Sequence, residues 1–499
     1  MRLRFFLPLF SAAVAASLAS ASDASACGGC VVPPEENTVV TGHRMALSVS
    51  PKQTVLWDQI EYAGDPKSFG WILPVKPGAV IEVSTDAWFE TLDATTTTTI
   101  FAPPVSCPNS GGGSGFGCGA ADLAPRASNA GGDDFDGSDV TVVHRGTVGP
   151  YETVTLNTQT PGALNEWLDK AGYTIDPATQ PVVDAYVKEG FDFIALKLQP
   201  DSSVKEMKPV RVIQDGASPT LPLRMVAVGT GANVAITLFL ISEGRWGAKN
   251  FENAQIPVDL LSWDFSNNSS NYGTLREKAL GAAGGATWLT TFSQPKALLS
   301  PLTSINFGKR TYSSGDSFDF VDTIGGAYIQ RGIQNDEATD DGLGIECGTS
   351  FANVADSADM VVDPCPPGKP SDDPSCTSVT AGQIDARKLA CGKLDDLSVA
   401  LDGLHPKDVW LTRIEANLPR AALGQDLVVA PSAAQAPVDN EMRAAKGENI
   451  EALCGSAAAA LPDRGKSNRS GGGGGAMVVA LGMAATALLG IARRVRARA

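Results

Sequence analysis

The chain is poor in histidine, with three among 499 residues, and poor in aromatic side chains, at 7%. A Ser-His-Asp or Cys-His enzyme would therefore have to use His43, His144 or His405. No phosphate loop, dinucleotide fingerprint or His-Glu-x-x-His motif is present, so no nucleotide cofactor is implied. Cys27-Gly28-Gly29-Cys30 has no second Cys-x-x-Cys or His pair to complete a zinc tetrahedron. No apolar run reaches the ~20 residues that span a bilayer, which excludes a polytopic membrane protein. No internal repeat is visible, which excludes a solenoid or propeller. Positive charge is scarce, with 39 Lys and Arg against 55 Asp and Glu and a net charge of −16. Six of the arginines lie in the terminal segments, so the body between them is more acidic still. Such a body repels phosphate backbones, and nucleic acid is excluded as a partner.

Hydrophobic residues reach 43% and charged residues 19%, which describes a folded chain. With 52 Gly and 32 Pro, the composition favours a loop-rich, largely β protein. The N-terminus reads Met1-Arg2-Leu3-Arg4, then an apolar run over 5–18 and two Ala-x-Ala exits, Ala19-Ser20-Ala21 and Ala24-Ser25-Ala26. Basic start, short apolar core and small-residue exit predict a secretory signal peptide over 1–26, handled by export machinery and signal peptidase. At the other end, Ser470 and the glycines 471–475 form a spacer before an apolar stretch over 477–492. Arg493, Arg494, Arg496 and Arg498 then act as a stop on the cytoplasmic side. This 476–499 segment predicts membrane attachment through 477–492, transient or retained, and a place in the envelope or on the cell surface. The tail resembles bacterial C-terminal sorting tails of the Gly-Gly and myxobacterial types, which intramembrane proteases cut during surface display. The myxobacterial type carries a Cys beside its glycines; here the nearest is Cys454.

Between the ends, 27–106 alternates as strands at 38–50, 55–62, 69–75 and 80–83, with a short helix over 86–92. A Gly/Asp-rich insert over 107–139 follows. The 140–250 region adds helices at 161–171 and 181–189 and strands at 140–143, 153–156, 191–198, 210–213, 223–228 and 233–241. The last two are almost continuously apolar and read as central strands covered on both faces. The 251–430 region predicts helices at 275–283 and 286–292, a Cys-rich loop over 347–392, and strands at 409–418 and 425–430. Residues 431–475 read as low-complexity linker. The fold class expected is α+β, predominantly antiparallel β with short inserted helices and disulfide-stapled loops.

Several stretches resemble one uncharacterised bacterial family, that of domain of unknown function 2330. They are Cys27-Gly28-Gly29-Cys30, Val39-Val40-Thr41-Gly42-His43-Arg44-Met45, Trp57-Asp58-Gln59-Ile60 and Phe69-Gly70-Trp71-Ile72-Leu73-Pro74-Val75. Gly190-Phe191-Asp192-Phe193, Leu221-Pro222-Leu223-Arg224-Met225, Ser242-Glu243-Gly244-Arg245-Trp246 and Val409-Trp410-Leu411-Thr412-Arg413 continue the likeness. The resemblance implies an exported envelope protein and brings no established activity with it.

An exported chain pairs its cysteines, and nine are present. Cys107 and Cys118 form a local pair, while the partners of Cys347, Cys365, Cys376, Cys391 and Cys454 stay open. Cys27 and Cys30 fit a structural disulfide, with a redox dithiol or half a zinc site as alternatives. Asp133, Asp134, Asp136 and Asp139 supply hard oxygen ligands in a Gly-rich loop, as calcium requires, but without EF-hand spacing they read first as a solvated acidic loop. Asn335, Asp336, Glu337, Asp340 and Asp341 pose the same choice. Gly348-Thr349-Ser350-Phe351-Ala352 superficially matches a subtilisin-like nucleophile segment, although the histidine context such chemistry needs is missing. His43 reads as a hydrogen-bonded structural residue rather than a base, and the tryptophans as core rather than a carbohydrate groove. The expected role is structural or binding, without catalytic residue, cofactor or metal. The rival is an extracytoplasmic enzyme, a hydrolase or a thiol redox protein using Cys27 and Cys30.

Overall fold

The computed structural model describes residues 30–31, 39–63, 70–105, 141–157, 164–165, 180–199, 207–227, 230–298, 383–384 and 395–453. Its strands in chain order are β1 (Cys30–Val31), β2 (Val39–Val49), β3 (Gln53–Ala63), β4 (Gly70–Val75), β5 (Val80–Val83), β6 (Thr99–Phe101) and β7 (Thr141–Val148). Next come β8 (Tyr151–Asn157), β9 (Asp192–Leu198), β10 (Val210–Asp215), β11 (Thr220–Leu221), β12 (Thr230–Glu243), β13 (Trp246–Ala248) and β14 (Glu252–Ala254). The last are β15 (Ser262–Asp264), β16 (Ser269–Ser270), β17 (Thr287–Pro295), β18 (Val409–Pro419), β19 (Leu427–Pro431), β20 (Glu441–Arg443) and β21 (Lys446–Glu448).

Eight strands form one sheet in the order β14-β17-β18-β12-β2-β3-β10-β5. All its neighbours run antiparallel except β12 with β2 and β14 with β17. A second sheet, β1-β4-β9-β8-β7, is antiparallel throughout. The described protein is thus strand-rich, mostly antiparallel, with a few short helices.

Strand alternation explains how the large sheet is covered. Ala46, Val55, Trp57, Phe239, Ile241 and Leu411 face the helices Asp86–Thr96 and Asp395–Leu401, which contribute Trp88, Phe89, Leu92, Leu397 and Leu401. The Trp57 and Trp88 rings lie 5.5 Å apart at the centre of this layer. On the opposite face Met45, Leu47, Ile236, Leu238, Leu240, Trp288 and Ile414 meet Leu221, Leu223, Leu427 and Val429. β12 is therefore buried on both sides, as its continuous apolar run predicts. Toward β10 and β5 the same face meets the second sheet, where Ile60, Val210 and Val212 pack on Trp71, Leu73, Ile194 and Leu196. The outer face of the second sheet is closed by the helix Gln180–Lys188 through Val183, Tyr186 and Val187.

Three expectations are corrected. Leu223–Val226 is a short helix rather than a strand. Pro222 precedes it with φ −77°, a value set for helix entry, and Leu, Arg and Met then favour the helix over the extended chain. Thr287–Pro295 is a strand rather than a helix; three β-branched threonines and burial on both faces override the alanines and glycines before it. Residues 431–453 are not linker, since β20 pairs with β6 and β21 with β15. Asn440 fixes this segment by donating to the Thr95 and Thr97 carbonyls at 3.1 Å each. Backbone pairing rather than apolar burial holds it, so no hydrophobic period announces it. Of the helix expected over 161–171, Leu164 and Asn165 are described and helical.

Candidate functional site

The β2/β3 hairpin creates the most unusual polar contact in the molecule. Its register passes from Val40 opposite Tyr62 to Gly42 opposite Glu61, leaving Thr41 as a bulge beside His43. A Cβ on Gly42 would stand 2.9 Å from Glu61 Oε2 and 3.1 Å from the Ala235 carbonyl, so close approach of β12 requires glycine there. Beyond the bulge His43 faces Ile60 and Asp58 faces Met45, a diagonal pairing that puts both polar side chains on one face. His43 Nδ1 lies 3.0 Å from Asp58 Oδ1, with the two residues only 2% and 3% exposed. Burial pushes the Asp58 carboxyl above its ordinary range, and the neighbouring imidazole acts against that rise.

The pair sits where three apolar clusters meet, in a cavity of about 20 Å³ walled by Leu56, Trp71, Leu73, Pro74, Leu221 and Met225 among others. That volume holds about one water molecule. His43 Nε2 is buried and has no hydrogen-bond partner. An imidazole tethered through Nδ1 to a carboxylate presents Nε2 as a base. However, the cavity walls carry no hydroxyl, thiol or amine for it to activate. As it stands, the arrangement is a sealed dyad.

Leu56, Leu73, Pro74 and Pro222 also border a neighbouring cleft of about 350 Å³. Leu47, Val75, Val212 and Phe191 extend its apolar walls, and Lys76, Glu189, Gln214 and Asp426 form polar edges. Arg224 organises one edge. It donates to both Glu189 oxygens at 2.7 Å and to Asp426 Oδ2 at 3.0 and 2.7 Å. Its guanidinium lies 4.2 Å from the Tyr186 ring centre, and the Tyr186 hydroxyl donates to Asp426 Oδ1 at 2.6 Å. Burial and the Asp426 carboxylate push the Tyr186 phenol far above its ordinary range, so it remains a donor. Hydrogen bonds from Arg224 hold the Glu189 carboxyl below its usual range. On another edge Lys76 Nζ stands 4.1 Å above the Phe191 ring.

Of the residues singled out in the sequence, His43 alone enters this site with a described side chain. Cys30 lies in β1 as the register partner of Trp71 in the adjacent strand. His144 lies on β7, and His405 is elsewhere, bonded through Nδ1 to Glu243 Oε1 at 2.6 Å. Trp57, Trp88 and Trp288 are fully buried core residues. Cys27, Cys107, Cys118, Cys347, Cys365, Cys376, Cys391, Cys454, Ser350, the acids Asp133, Asp134, Asp136 and Asp139 and the acidic stretch 335–341 lie outside the described residues. So does the apolar segment 477–492; among the described residues no helix is long and apolar enough to cross a membrane. Likewise, among the described residues no three His, Cys, Asp or Glu side chains gather as a metal site would need. Sequence reasoning missed Asp58, Lys76, Tyr186, Arg224 and Asp426 as site residues. Asp58 had a signal, an acid at an inward position of the Leu56, Asp58, Ile60 alternation.

Five of the stretches that carry the family resemblance supply walls of the cavity or cleft, those containing His43, Asp58, Leu73, Phe191 and Pro222. Residues 21–303 match a family described as uncharacterized protein conserved in bacteria (DUF2330). The match stops short of the Val409–Arg413 stretch, to which the resemblance read from the sequence extended. No curated protein and no solved structure matches the chain. Since the match takes in more than half of its length, the chain belongs to the DUF2330 family.

Proposed function

We propose that this is an exported protein of the bacterial envelope or cell surface that binds a ligand in the Lys76–Phe191 cleft and catalyses no reaction. The observation carrying the binding role is the convergence of five family stretches on one cleft, beside a His–Asp pair with no nucleophile in its cavity. Export rests on the signal-peptide pattern over 1–26 and on the Gly spacer, apolar segment and arginines over 470–499. On this reading the tail passes to an intramembrane sorting protease, and the cysteines outside the described residues pair as disulfides.

One specific observation favours a second reading. The tethered imidazole of His43 is the orienting half of a hydrolase site, and a movement that brought a hydroxyl to Nε2 would complete it. Two measurements separate the readings. Cell fractionation with immunoblotting should find a shortened chain in the envelope; full-length, fully reduced protein in the cytosol would defeat export. A panel of ester, amide and glycoside substrates should give no turnover with the isolated protein. Turnover that His43→Gln abolishes would establish the hydrolase.

A further inference from the structure

The cleft is selective in its hydrogen-bonding groups. Its acceptors are occupied. Six hydrogen bonds from Arg224 and Tyr186 fall on the Glu189 and Asp426 carboxylates. The Gln214 side-chain oxygen accepts from the Lys76 backbone N–H at 3.1 Å. The donors are different. Among the described residues no carboxylate lies within ion-pair distance of Lys76 Nζ, and the Gln214 amide NH2 makes no hydrogen bond. Between these donors and the core the walls are Leu56, Leu73, Val75 and Val212. Arg224 and Lys76 together balance Glu189 and Asp426, so the cleft has no net charge and its unused donors choose the head group.

We infer that the cleft binds a small amphipathic carboxylate, its head group on Lys76 and Gln214 and its apolar chain between Phe191, Leu73 and Val212. This rests on the reading of the cleft as a binding site. A cationic head group would meet carboxylates already holding Arg224 and Tyr186, and an alcohol would leave the ammonium unpaired. The volume of about 350 Å³ lies at the small end of ligand pockets, which points to a medium chain rather than a long one.

Calorimetric titration of the isolated protein with sodium octanoate, 1-octanol and octylammonium chloride tests this. Octanoate should bind saturably at one site, with the other two roughly tenfold weaker or worse, as loss of a charge-assisted hydrogen bond implies. Lys76→Met should weaken octanoate by about the same factor and leave octanol unchanged. Octanol binding as tightly as octanoate, or octanoate indifferent to Lys76→Met, would overturn the head-group assignment and leave the cleft a binding site. Absence of binding by all three would overturn the ligand class. By contrast, hydrolysis of an octanoate ester that His43→Gln abolishes would defeat the non-catalytic reading itself.

Discussion

His43 Nδ1 and Asp58 Oδ1 meet at 3.0 Å inside the sheet, and the carboxyl there is harder to ionise than in the unfolded chain because burial removes its water. The native state therefore keeps a proton that the unfolded state releases above its ordinary value of 3.8. The stability contributed by this group is fully present below that value and is lost as pH rises through the folded one. Asp58→Asn keeps an acceptor for the His43 N–H and removes the titration. Its unfolding free energy relative to wild type should improve steadily as pH rises from about 4 to 7. Asp58→Ala, which strands the imidazole, should cost about 3 kcal/mol. Urea denaturation across that pH range reads both, and an Asn variant whose difference from wild type is independent of pH would contradict the assignment.

A second buried acid ties the helix Asp395–Leu401 to the sheet. Asp396 Oδ1 accepts from Trp57 Nε1 at 2.8 Å and from Arg211 Nη1 at 3.0 Å, and the residue is 2% exposed. Arg211 also bonds Glu82 through Nε at 2.7 Å. Removing Asp396 leaves a buried guanidinium and an indole N–H without their acceptor. Asp396→Ala should therefore cost about 3–5 kcal/mol. The double variant Asp396→Ala, Arg211→Met should cost less than the sum of the two single changes, because the charge left stranded by the first is absent from the second. Equilibrium unfolding of the four proteins gives the coupling directly, and simple additivity would mean that the pair does not interact as drawn.

These two acids show how far the sequence could be read. The strands of β2, β3, β9, β12 and β18 announce themselves by alternation or by a continuous apolar run, and the antiparallel class follows from them. Leu223–Val226 and Thr287–Pro295 do not, because a short buried segment is apolar in either conformation; Pro222 and the threonines carry the discriminating signal, and it is local and weak. The site is harder still. His43 stands out as one of three histidines, and Asp58 as an acid in an inward position. Lys76, Glu189, Gln214 and Asp426 come from four separate segments that only the sheet order brings to one cleft. No spacing along the chain encodes that proximity. The family stretches marked most of the walls without saying that they meet.

At the rim of the cleft, Tyr186 and Arg224 share Asp426, so each supports the other. Tyr186→Phe removes one hydrogen bond and leaves the carboxylate held by Arg224, a loss of about 1 kcal/mol at neutral pH. Alkaline behaviour should move the opposite way. The phenol is raised in the folded state, so its contribution is present below the ordinary tyrosine value of 10.0 and is lost as pH rises beyond it. Without the phenol that loss cannot occur, and the penalty of Tyr186→Phe should shrink between about pH 9 and 11. Denaturant titrations at both ends of the range check this; a penalty unchanged with pH would show that Tyr186 ionises normally in the folded protein.

Two glycines separate backbone strain from steric contact. Gly403 follows the helix Asp395–Leu401 with φ +83°, and a Cβ there would stand 2.7 Å from Ser50 Oγ and 2.8 Å from Lys52 Cβ. Gly216 has a similar φ of +73° with nothing within 4 Å of its Cβ position. Alanine at either site bears the left-handed backbone, about 1–2 kcal/mol. At Gly403 it must also displace the β2/β3 turn, which Lys52 anchors to Asp402 at 2.6 Å, and overpacking of this kind adds about 1–3 kcal/mol. Gly403→Ala should therefore lower the unfolding free energy clearly more than Gly216→Ala, with the difference appearing mainly as faster unfolding if the turn docks late. Equal losses in the two variants would mean that the turn gives way without cost, and that the 395–403 segment is not wedged against it.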